Sequence, residues 1–207
     1  IQELGDGSFV DELYWRDFYY NSLYHYPHVV GTSFNPKYDN IKWNTNKVMF
    51  DKRCKGKTGF PMVDACMRQL HITGYMHNRG RMIVASFLTK DILIDWRWGD
   101  KYFATQLVDY NISANNGGWQ WAAGSGTDAQ PYFRIFNPWT QNEKFDPECV
   151  YIKRWIPELK EVDKKVILRE GEGNGPVHAL DNAIRKNVDK LAKYTQYLKD
   201  LKLVDYK

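Results

Sequence analysis

Apolar residues recur along this 207-residue chain at the three-and-four spacing of helices, and no segment alternates as a half-buried strand does. Met62, Ala65, Cys66 and Leu70 show the spacing, directly after Pro61 at a favourable helix start. The pattern predicts helices over about 9–24, 102–110 and 178–203. It also predicts a helix that starts at about 61, an apolar helix that ends at about 94, and a helix that ends at about 155 after an Asp-Pro cap at 146–147. The sequence therefore predicts an all-α fold with long loops.

The glycine-rich stretch 171–176 is typical of a flexible link. It predicts a core over 1–170, followed by a linker and a C-terminal amphipathic helix within 171–207. Alternating charges on that last helix are typical of a solvated structural cap. The chain starts at Ile1 without a signal pattern, and we interpret it as a fragment of a longer protein.

The stretch 108–121 changes from polar to small residues and ends in Trp-Gln-Trp. Its Asn-Asn-Gly-Gly segment predicts a loop, with a helix starting near Trp119. Residues two apart on a helix point to roughly opposite sides, so Trp119 and Trp121 are expected to face different environments. Two core tryptophans would satisfy the pattern, but the glycines and the nearby Asp109 and Asn115 favour a ligand site.

Glu12, Trp15, Arg16 and Tyr19 fall on one face of the first predicted helix. An exposed Glu12–Arg16 ion pair is one interpretation. A carboxylate, a cation and two aromatic rings on one face also suit recognition of a flat heterocycle, and the aromatic rings favour this second interpretation.

Arg79 and Arg81 stand near a predicted helix start, where the positive end of the helix dipole repels cations. Anions from outside the chain, such as phosphates, would relieve the conflict. Two solvated arginines explain the pattern equally well, and the residues leave both alternatives open.

The amino-acid composition limits the kinds of ligand and cofactor that the chain is expected to bind. Aromatic residues make up 15% of the chain, and a net charge of +4 indicates only a modest preference for anions. Three scattered cysteines predict free thiols in a reducing compartment, with neither a disulfide framework nor a metal site. No apolar run is long enough for a membrane span. The remaining set of Trp, Tyr, Asn and Arg suits an organic redox cofactor, a nucleic-acid base, or both.

Six motifs then occur in a fixed order, at 56–61, 64–70, 74–79, 95–96, 114–121 and 131–138. Together they resemble the FAD-binding domain of the DNA photolyase/cryptochrome family, and most closely the class I cyclobutane pyrimidine dimer photolyases. The resemblance runs from about 7 to 159. It implies a multi-helical catalytic domain that binds FAD, and light-dependent repair of pyrimidine dimers by electron transfer from reduced FAD, a carbon–carbon lyase activity. A cryptochrome-type photoreceptor without repair activity is the alternative, and an aromatic single-strand binder is a third.

The resemblance also implies cofactor residues. Asn115 would lie at the flavin N5, and Trp119, Trp96 and Trp43 would pass electrons between flavin and surface, although Trp43 alone suggests packing. Catalytic roles therefore fall on these tryptophans, Glu12 and Asn115. The implied FAD-binding residues are Phe9, Arg16, Asn78, Arg81, Asp109, Tyr110, Asn111 and Asn115. Asn111 stands where many relatives have Asp, which lowers the expected negative charge near the flavin.

The implied partner is damaged DNA with a flipped-out dimer, bound by a monomer without metal or membrane. The implied DNA and lesion contacts are Glu12, Trp15, Tyr19, Asn78, Arg79, Met82, Trp121, Arg134 and Gln141. The family's antenna domain, with a folate or deazaflavin pigment, and its phosphate-clasping segment are expected ahead of Ile1, so this chain alone is expected to bind FAD poorly. The expected compartment is the nucleus, with the mitochondrion, in a eukaryote and the cytoplasm in a bacterium.

Overall fold

The computed structural model describes residues 8–127, 129, 131 and 134–168. Its helices are α1 Ser8–His25, α2 Lys47–Cys54, α3 Pro61–Thr73, α4 Asn78–Ser86, α5 Trp96–Gln106, α6 Ile112–Ala123, α7 Pro138–Phe145, α8 Val150–Trp155 and α9 Lys164–Ile167. Short 3-10 turns cover Pro27–Val30, Pro36–Tyr38 and Pro157–Leu159, and a π-helical turn covers Phe87–Asp91. These described residues contain no strand, only an isolated parallel bridge between Asn44 and Ile94, so the predicted all-α fold is confirmed.

The chain divides into two compact units, Ile1–Gln141 and Asn142–Lys207. The predicted link at 171–176 and the helix over 178–203 lie outside the described residues, and the boundary near 170 stays a prediction.

Helix α6 is the centre of the first unit, because it packs against α1, α4 and α5. Asn111 caps its start, accepting a hydrogen bond from the Ala114 backbone N–H at 3.0 Å through its side-chain oxygen. Gly124 ends it in the left-handed conformation, with φ 81°. The surrounding core is apolar and includes Val63, Met67, Val84, Leu88, Trp96 and Phe103.

Three helix boundaries predicted from the sequence are wrong. The Asn-Asn-Gly-Gly segment is not a loop but the middle of α6, because a cap at Asn111 and packing against α1 outweigh the low helix propensity of glycine. The helix predicted over 102–110 is α5, which starts at Trp96 and ends at Gln106, because the Asp95 carboxylate caps it at the Arg97 N–H. The apolar helix expected to reach 94 ends at Ser86 and continues as the π-helical turn.

The basic turn at 55–59 has a structural role. The buried Asp64 carboxylate accepts hydrogen bonds from the Thr58 backbone N–H at 2.8 Å, from the Thr58 hydroxyl at 2.6 Å and from the Gly59 N–H at 2.9 Å. Gly56 is left-handed, with φ 59°, and a Cβ there would lie 2.8 Å from the Asp64 carbonyl oxygen. This turn fixes the start of α3.

In the second unit, the cap predicted at Asp146 is present. Its carboxylate accepts hydrogen bonds from the N–H groups of Tyr151 at 3.1 Å and Ile152 at 2.9 Å. The helix it caps, α8, begins at Val150. This carboxylate thus satisfies two N–H groups in the first turn that have no partner inside the helix.

All three cysteines are buried and free, as the sequence predicts. Across the described part of the chain, no group of three or more His, Cys, Asp and Glu side chains could hold a metal ion. None of the helices seen in that part is both long and apolar enough to cross a membrane.

Candidate functional site

A cavity of about 540 Å³ opens between α1, α4, α5 and α6, within the size range of small-molecule sites. Its walls bring together twelve residues that the sequence singled out, from segments more than a hundred positions apart. These are Glu12, Trp15, Arg16, Tyr19, Asn78, Arg81, Met82, Asp109, Asn111, Asn115, Trp119 and Trp121.

Other candidate residues lie elsewhere in the described structure. Phe9 is 65% exposed near the start of α1 and does not line the cavity, although it lies one turn before Glu12 on the same face of the helix. The remaining candidates outside the lining are Trp43, Arg79, Trp96, Tyr110, Arg134 and Gln141.

The cavity also has walls that the sequence did not assign. Tyr75 and Met76 lie within the 74–79 motif, which was the available signal for them. Apolar helical positions carry no such signal, because they look the same whether they face a core or a ligand. Ala85, Phe103 and Leu107 belong to this second group, whereas Ala114 and Gly118 lie within the 114–121 motif.

Arg81 is held rigidly at the cavity wall. Its Nε donates to the Met76 carbonyl at 2.7 Å, and its Nη2 donates to both carboxylate oxygens of Asp109, at 2.9 and 2.7 Å. Asp109 therefore supplies, from within the chain, an anion that the arginine-rich start of α4 lacks. Arg81 presents a cation of fixed orientation to whatever occupies the cavity.

Asn115 is oriented by a carboxylate that the sequence analysis missed. Its Nδ2 donates to the Asp100 side-chain Oδ1 and, at 3.2 Å, to the Asp100 carbonyl. Burial raises the pKa of Asp100 to about 6, against the opposing effect of this hydrogen bond. Burial, followed by the charge of Asp100, raises the pKa of nearby Tyr110. Because Nδ2 is engaged, the Asn115 oxygen is left to accept a hydrogen bond.

Asn111 has two structural partners. Besides capping α6 through its oxygen, it donates from Nδ2 to the Tyr20 hydroxyl at 2.5 Å. The amide makes one contact as acceptor and the other as donor, whereas an aspartate would accept in both, with the Tyr20 hydroxyl as the donor. The asparagine therefore joins α6 to α1 beside the cavity.

Trp119 and Trp121 have different surroundings, although an edge of each reaches the cavity. Trp119 is 2% exposed and packs edge-on against Phe103 at 5.0 Å between ring centroids. Trp121 is half-buried and packs at 6.0 Å against Phe136. The helical spacing had predicted two environments for this pair.

Three tryptophans are arranged along the start of α5. The Trp119 ring lies against Gly99, where a Cβ would come within 2.2 Å of it, and Gly99 is one helical turn from Trp96. Trp43 precedes Asn44, whose N–H donates to the Leu93 carbonyl at 2.7 Å, three residues before Trp96. These contacts bring the segments that carry Trp119, Trp96 and Trp43 close together, and the order of the three in an electron-transfer series stays a prediction.

On α1, the Arg16 guanidinium donates to the Asp17 carboxylate at 3.1 and 3.2 Å, not to Glu12 as one interpretation of the sequence proposed. Trp15 and Tyr19 pack together at 6.1 Å. The Glu12 carboxylate thus stands at the cavity wall beside an aromatic surface.

The segment that carries Arg134 is anchored to the π-helical turn. Lys90 Nζ donates to the Pro131 carbonyl at 3.2 Å and to the Arg134 carbonyl at 3.0 Å. The Arg134 guanidinium carbon lies 5.8 Å from the ring centre of Phe136. This exposed arginine is thereby placed on the side of Trp121.

Residues 9–204 match the model of the FAD binding domain of DNA photolyase, so the chain belongs to this family. Among its curated relatives is the deoxyribodipyrimidine photo-lyase of Escherichia coli K12, 54% identical over 165 residues, which are 79% of this chain and 35% of that protein. The chain thus spans about a third of the length of the curated relatives that it matches.

Solved structures agree with this assignment. A bacterial class III photolyase from Agrobacterium tumefaciens matches with a TM-score of 0.76 and 47% identity, over 84% of this chain and 36% of that one. A cryptochrome from Synechocystis matches with a TM-score of 0.72 and 42% identity, over 77% of this chain and 33% of that one. Photolyases and cryptochromes therefore share this helical domain.

Proposed function

We propose that this chain is the FAD-binding part of a deoxyribodipyrimidine photo-lyase, which repairs cyclobutane pyrimidine dimers in DNA under light. The observation that carries the proposal is the composition of the 540 Å³ cavity. Its wall contains, together, most of the residues that the family resemblance assigns to the flavin and most of those that it assigns to the lesion. Because the chain spans about a third of its relatives, the activity is proposed for the longer protein.

The cavity wall suits FAD. A flavin ring offers flat faces and an edge of hydrogen-bonding groups, and the wall offers aromatic rings, an arginine fixed by Asp109, and the amides of Asn78, Asn111 and Asn115. Gly118 leaves open space, since a Cβ there would meet no atom within 4 Å. Reduced FAD, when bound, supplies the electron that splits the dimer and recovers it afterwards.

The protein's own groups have separable tasks in this proposal. Arg81 compensates negative charge on a reduced cofactor, and the Asn115 oxygen accepts a hydrogen bond from a ring N–H while Asp100 fixes the amide. Because their positions are set before binding, these groups need little reorganisation. Phe9 and Tyr110, which lie outside the cavity wall, are proposed only as peripheral cofactor contacts.

On the lesion side, Trp15 and Trp121 supply apolar walls for a flipped-out dimer, and Glu12 accepts a hydrogen bond from a base. Asn78, Met82 and Tyr19 complete this part of the wall. A dimer is easier to extrude than a normal pair, because it is already poorly stacked. Arg79, Arg134 and Gln141 are proposed to contact the DNA backbone, which makes binding dependent on salt.

The decisive experiment uses the full-length protein with reduced FAD and an oligonucleotide that contains one thymine dimer. We expect blue light to restore the undamaged sequence, with no repair in the dark. Flavin-loaded protein that leaves the dimer intact under blue light would contradict the proposal.

The alternative function is a cryptochrome-type photoreceptor, favoured by the similarity to the Synechocystis cryptochrome. It would use the same FAD site and tryptophans but would signal without repairing DNA. Full-length protein that purifies with stoichiometric flavin and fails the repair assay would support this alternative. Full-length protein without flavin would count against both functions.

A further inference from the structure

Within the described part of the chain, Arg53 is a cation buried inside the first unit without a carboxylate partner. Its side chain is 0% exposed in the middle of the helical core. Nη2 donates to the Val84 carbonyl at 3.3 Å, whereas Nε and Nη1 have no acceptor in the described structure. Burial lowers the pKa of Arg53, but a guanidinium ionises so far above neutrality that the group stays charged.

The Arg53 guanidinium lies over the faces of two aromatic rings. The guanidinium carbon lies 5.4 Å from the ring centre of Trp119 on α6 and 5.6 Å from that of Phe103 on α5. Both distances are within the range of a cation–π contact. Trp119 also reaches the 540 Å³ cavity, so a single indole touches the cofactor cavity and a buried positive charge.

The next tryptophan outward has a different electrostatic environment. Arg97 lies over Trp96 at 4.8 Å from the ring centre, but its guanidinium also pairs with Asp95 at 3.2 Å and Asp39 at 3.3 Å. Carboxylates therefore compensate the charge of Arg97 beside Trp96. In the described structure, no carboxylate pairs with Arg53 beside Trp119. From these contacts we expect a more positive electrostatic potential at Trp119 than at Trp96.

From this asymmetry we infer that Arg53 tunes electron flow, because its uncompensated charge makes Trp119 harder to oxidise and drives positive charge outward to Trp96. The inference rests on the proposed function and on the electron-carrying role that the family resemblance implies for Trp119, Trp96 and Trp43, by which Trp119 would give one electron to light-excited, oxidised flavin. Trp119 then holds one positive charge and regains neutrality by taking one electron from Trp96. Low-dielectric surroundings strengthen the effect of Arg53 on both steps.

A second observation indicates that the positive charge moves outward from Trp96 without the indole losing its proton. The Trp96 Nε1–H is buried and has no acceptor in the described structure. Oxidised Trp96 therefore keeps its proton, and the positive charge can pass onward to Trp43. Arg53 is thus a positioning residue and not a catalytic one: it influences where the positive charge resides, and it acts on the cofactor only through Trp119.

The test replaces the charge and keeps the volume. Full-length protein with oxidised FAD is compared as wild type, Arg53→Met and Arg53→Gln by ultrafast transient absorption. Removing the cation should accelerate oxidation of Trp119 and slow electron transfer from Trp96 to oxidised Trp119, each by roughly tenfold. Arg68→Met, which removes a part-buried arginine on α3, is the matched control and should leave both rates unchanged.

Opposite changes in the two rates identify an electrostatic role, because looser packing would slow both steps. Two unchanged rates, or two rates that change in the same direction, would overturn the inference. The near-UV absorption of the flavin-free protein gives an independent measurement. Loss of a charge 5.4 Å from an indole should shift its band in Arg53→Met, and an unshifted band would also overturn the inference. Wild-type protein without any light-driven tryptophan oxidation would also overturn the inference, whereas failure of the dimer-repair assay would contradict the proposed function.

Discussion

At the scale of single residues, Trp121 separates recognition of the lesion from general DNA binding. Its half-buried ring lines the cavity beside Phe136, so we expect it to stack on an extruded base. Trp121→Ala should weaken binding to dimer-containing DNA by roughly tenfold or more, since base–aromatic stacking contributes about 1–3 kcal/mol. Binding to undamaged DNA should change little.

Fluorescence titrations with matched damaged and undamaged oligonucleotides measure this difference. Trp139→Ala is the control, because that ring packs on Phe60 and does not line the cavity. Equal losses on both oligonucleotides after Trp121→Ala would remove the residue from the lesion site.

The raised pKa of Asp100 predicts how the stability of the fold depends on pH. Its pKa is raised from 3.8 to about 6 by burial, so the folded state favours the protonated carboxyl. The wild type therefore loses stability as pH rises from about 4 through 6, and Asp100→Asn avoids this loss. We expect the variant to gain on the order of 1 kcal/mol over wild type between pH 4.5 and pH 8, measured by urea unfolding. A difference between the two proteins that stays constant with pH would contradict the raised pKa.

The sequence identified most residues of the cavity wall but not the residues that contact them from outside the cavity, such as Asp100 and Arg53. Trp119, Asn115 and Arg81 stand out because their types suit a flat, charged cofactor. Arg53 lies in a mostly charged segment of the sequence, 51–55, where nothing marks a position for burial. Its closeness to Trp119 on α6 arises from the tertiary fold, which a local sequence pattern does not contain.

At the scale of helices, α6 shows why local propensity was a poor guide. The glycines at 117 and 118 suggested a loop, yet each serves a different surface of one helix. A Cβ on Gly117 would come within 2.1 Å of the Tyr19 ring, so the missing side chain lets α1 approach α6. The same type of residue at 118 leaves open space at the cavity wall.

These adjacent glycines allow a matched pair of substitutions. Gly117→Ala should destabilise the fold by about 1–3 kcal/mol, because the tightly packed contact with Tyr19 must open. Gly118→Ala should keep or raise the stability, since alanine favours a helix by up to about 1 kcal/mol, but should weaken FAD binding. Thermal unfolding of flavin-free protein and FAD titration separate the two effects. Equal destabilisation by both substitutions would contradict the assignment of the two surfaces.

At the scale of the whole first unit, one helix connects the proposed tasks. Helix α6 carries Asn115 and Trp119 toward the cofactor and Trp121 toward the lesion, and α5 carries the continuation of the tryptophan series. The family resemblance suggested these assignments, while helical spacing alone predicted only that Trp119 and Trp121 diverge. The contacts through Gly99 and Asn44 add a physical route from the cavity to the loop before α2.

That route predicts different effects on reduction of the cofactor and on repair. Trp43 is half-buried at the outer end of the series, and phenylalanine there keeps an aromatic ring that is much harder to oxidise. Trp43→Phe should slow light-driven reduction of oxidised flavin by about tenfold or more, while repair by enzyme reduced chemically beforehand should be unchanged. Flavin absorbance under steady illumination and a dimer-repair assay measure the two activities, with Trp139→Phe as the control. If reduction stays at the wild-type rate, Trp43 does not belong to the route; if repair by pre-reduced enzyme also falls, its role is structural.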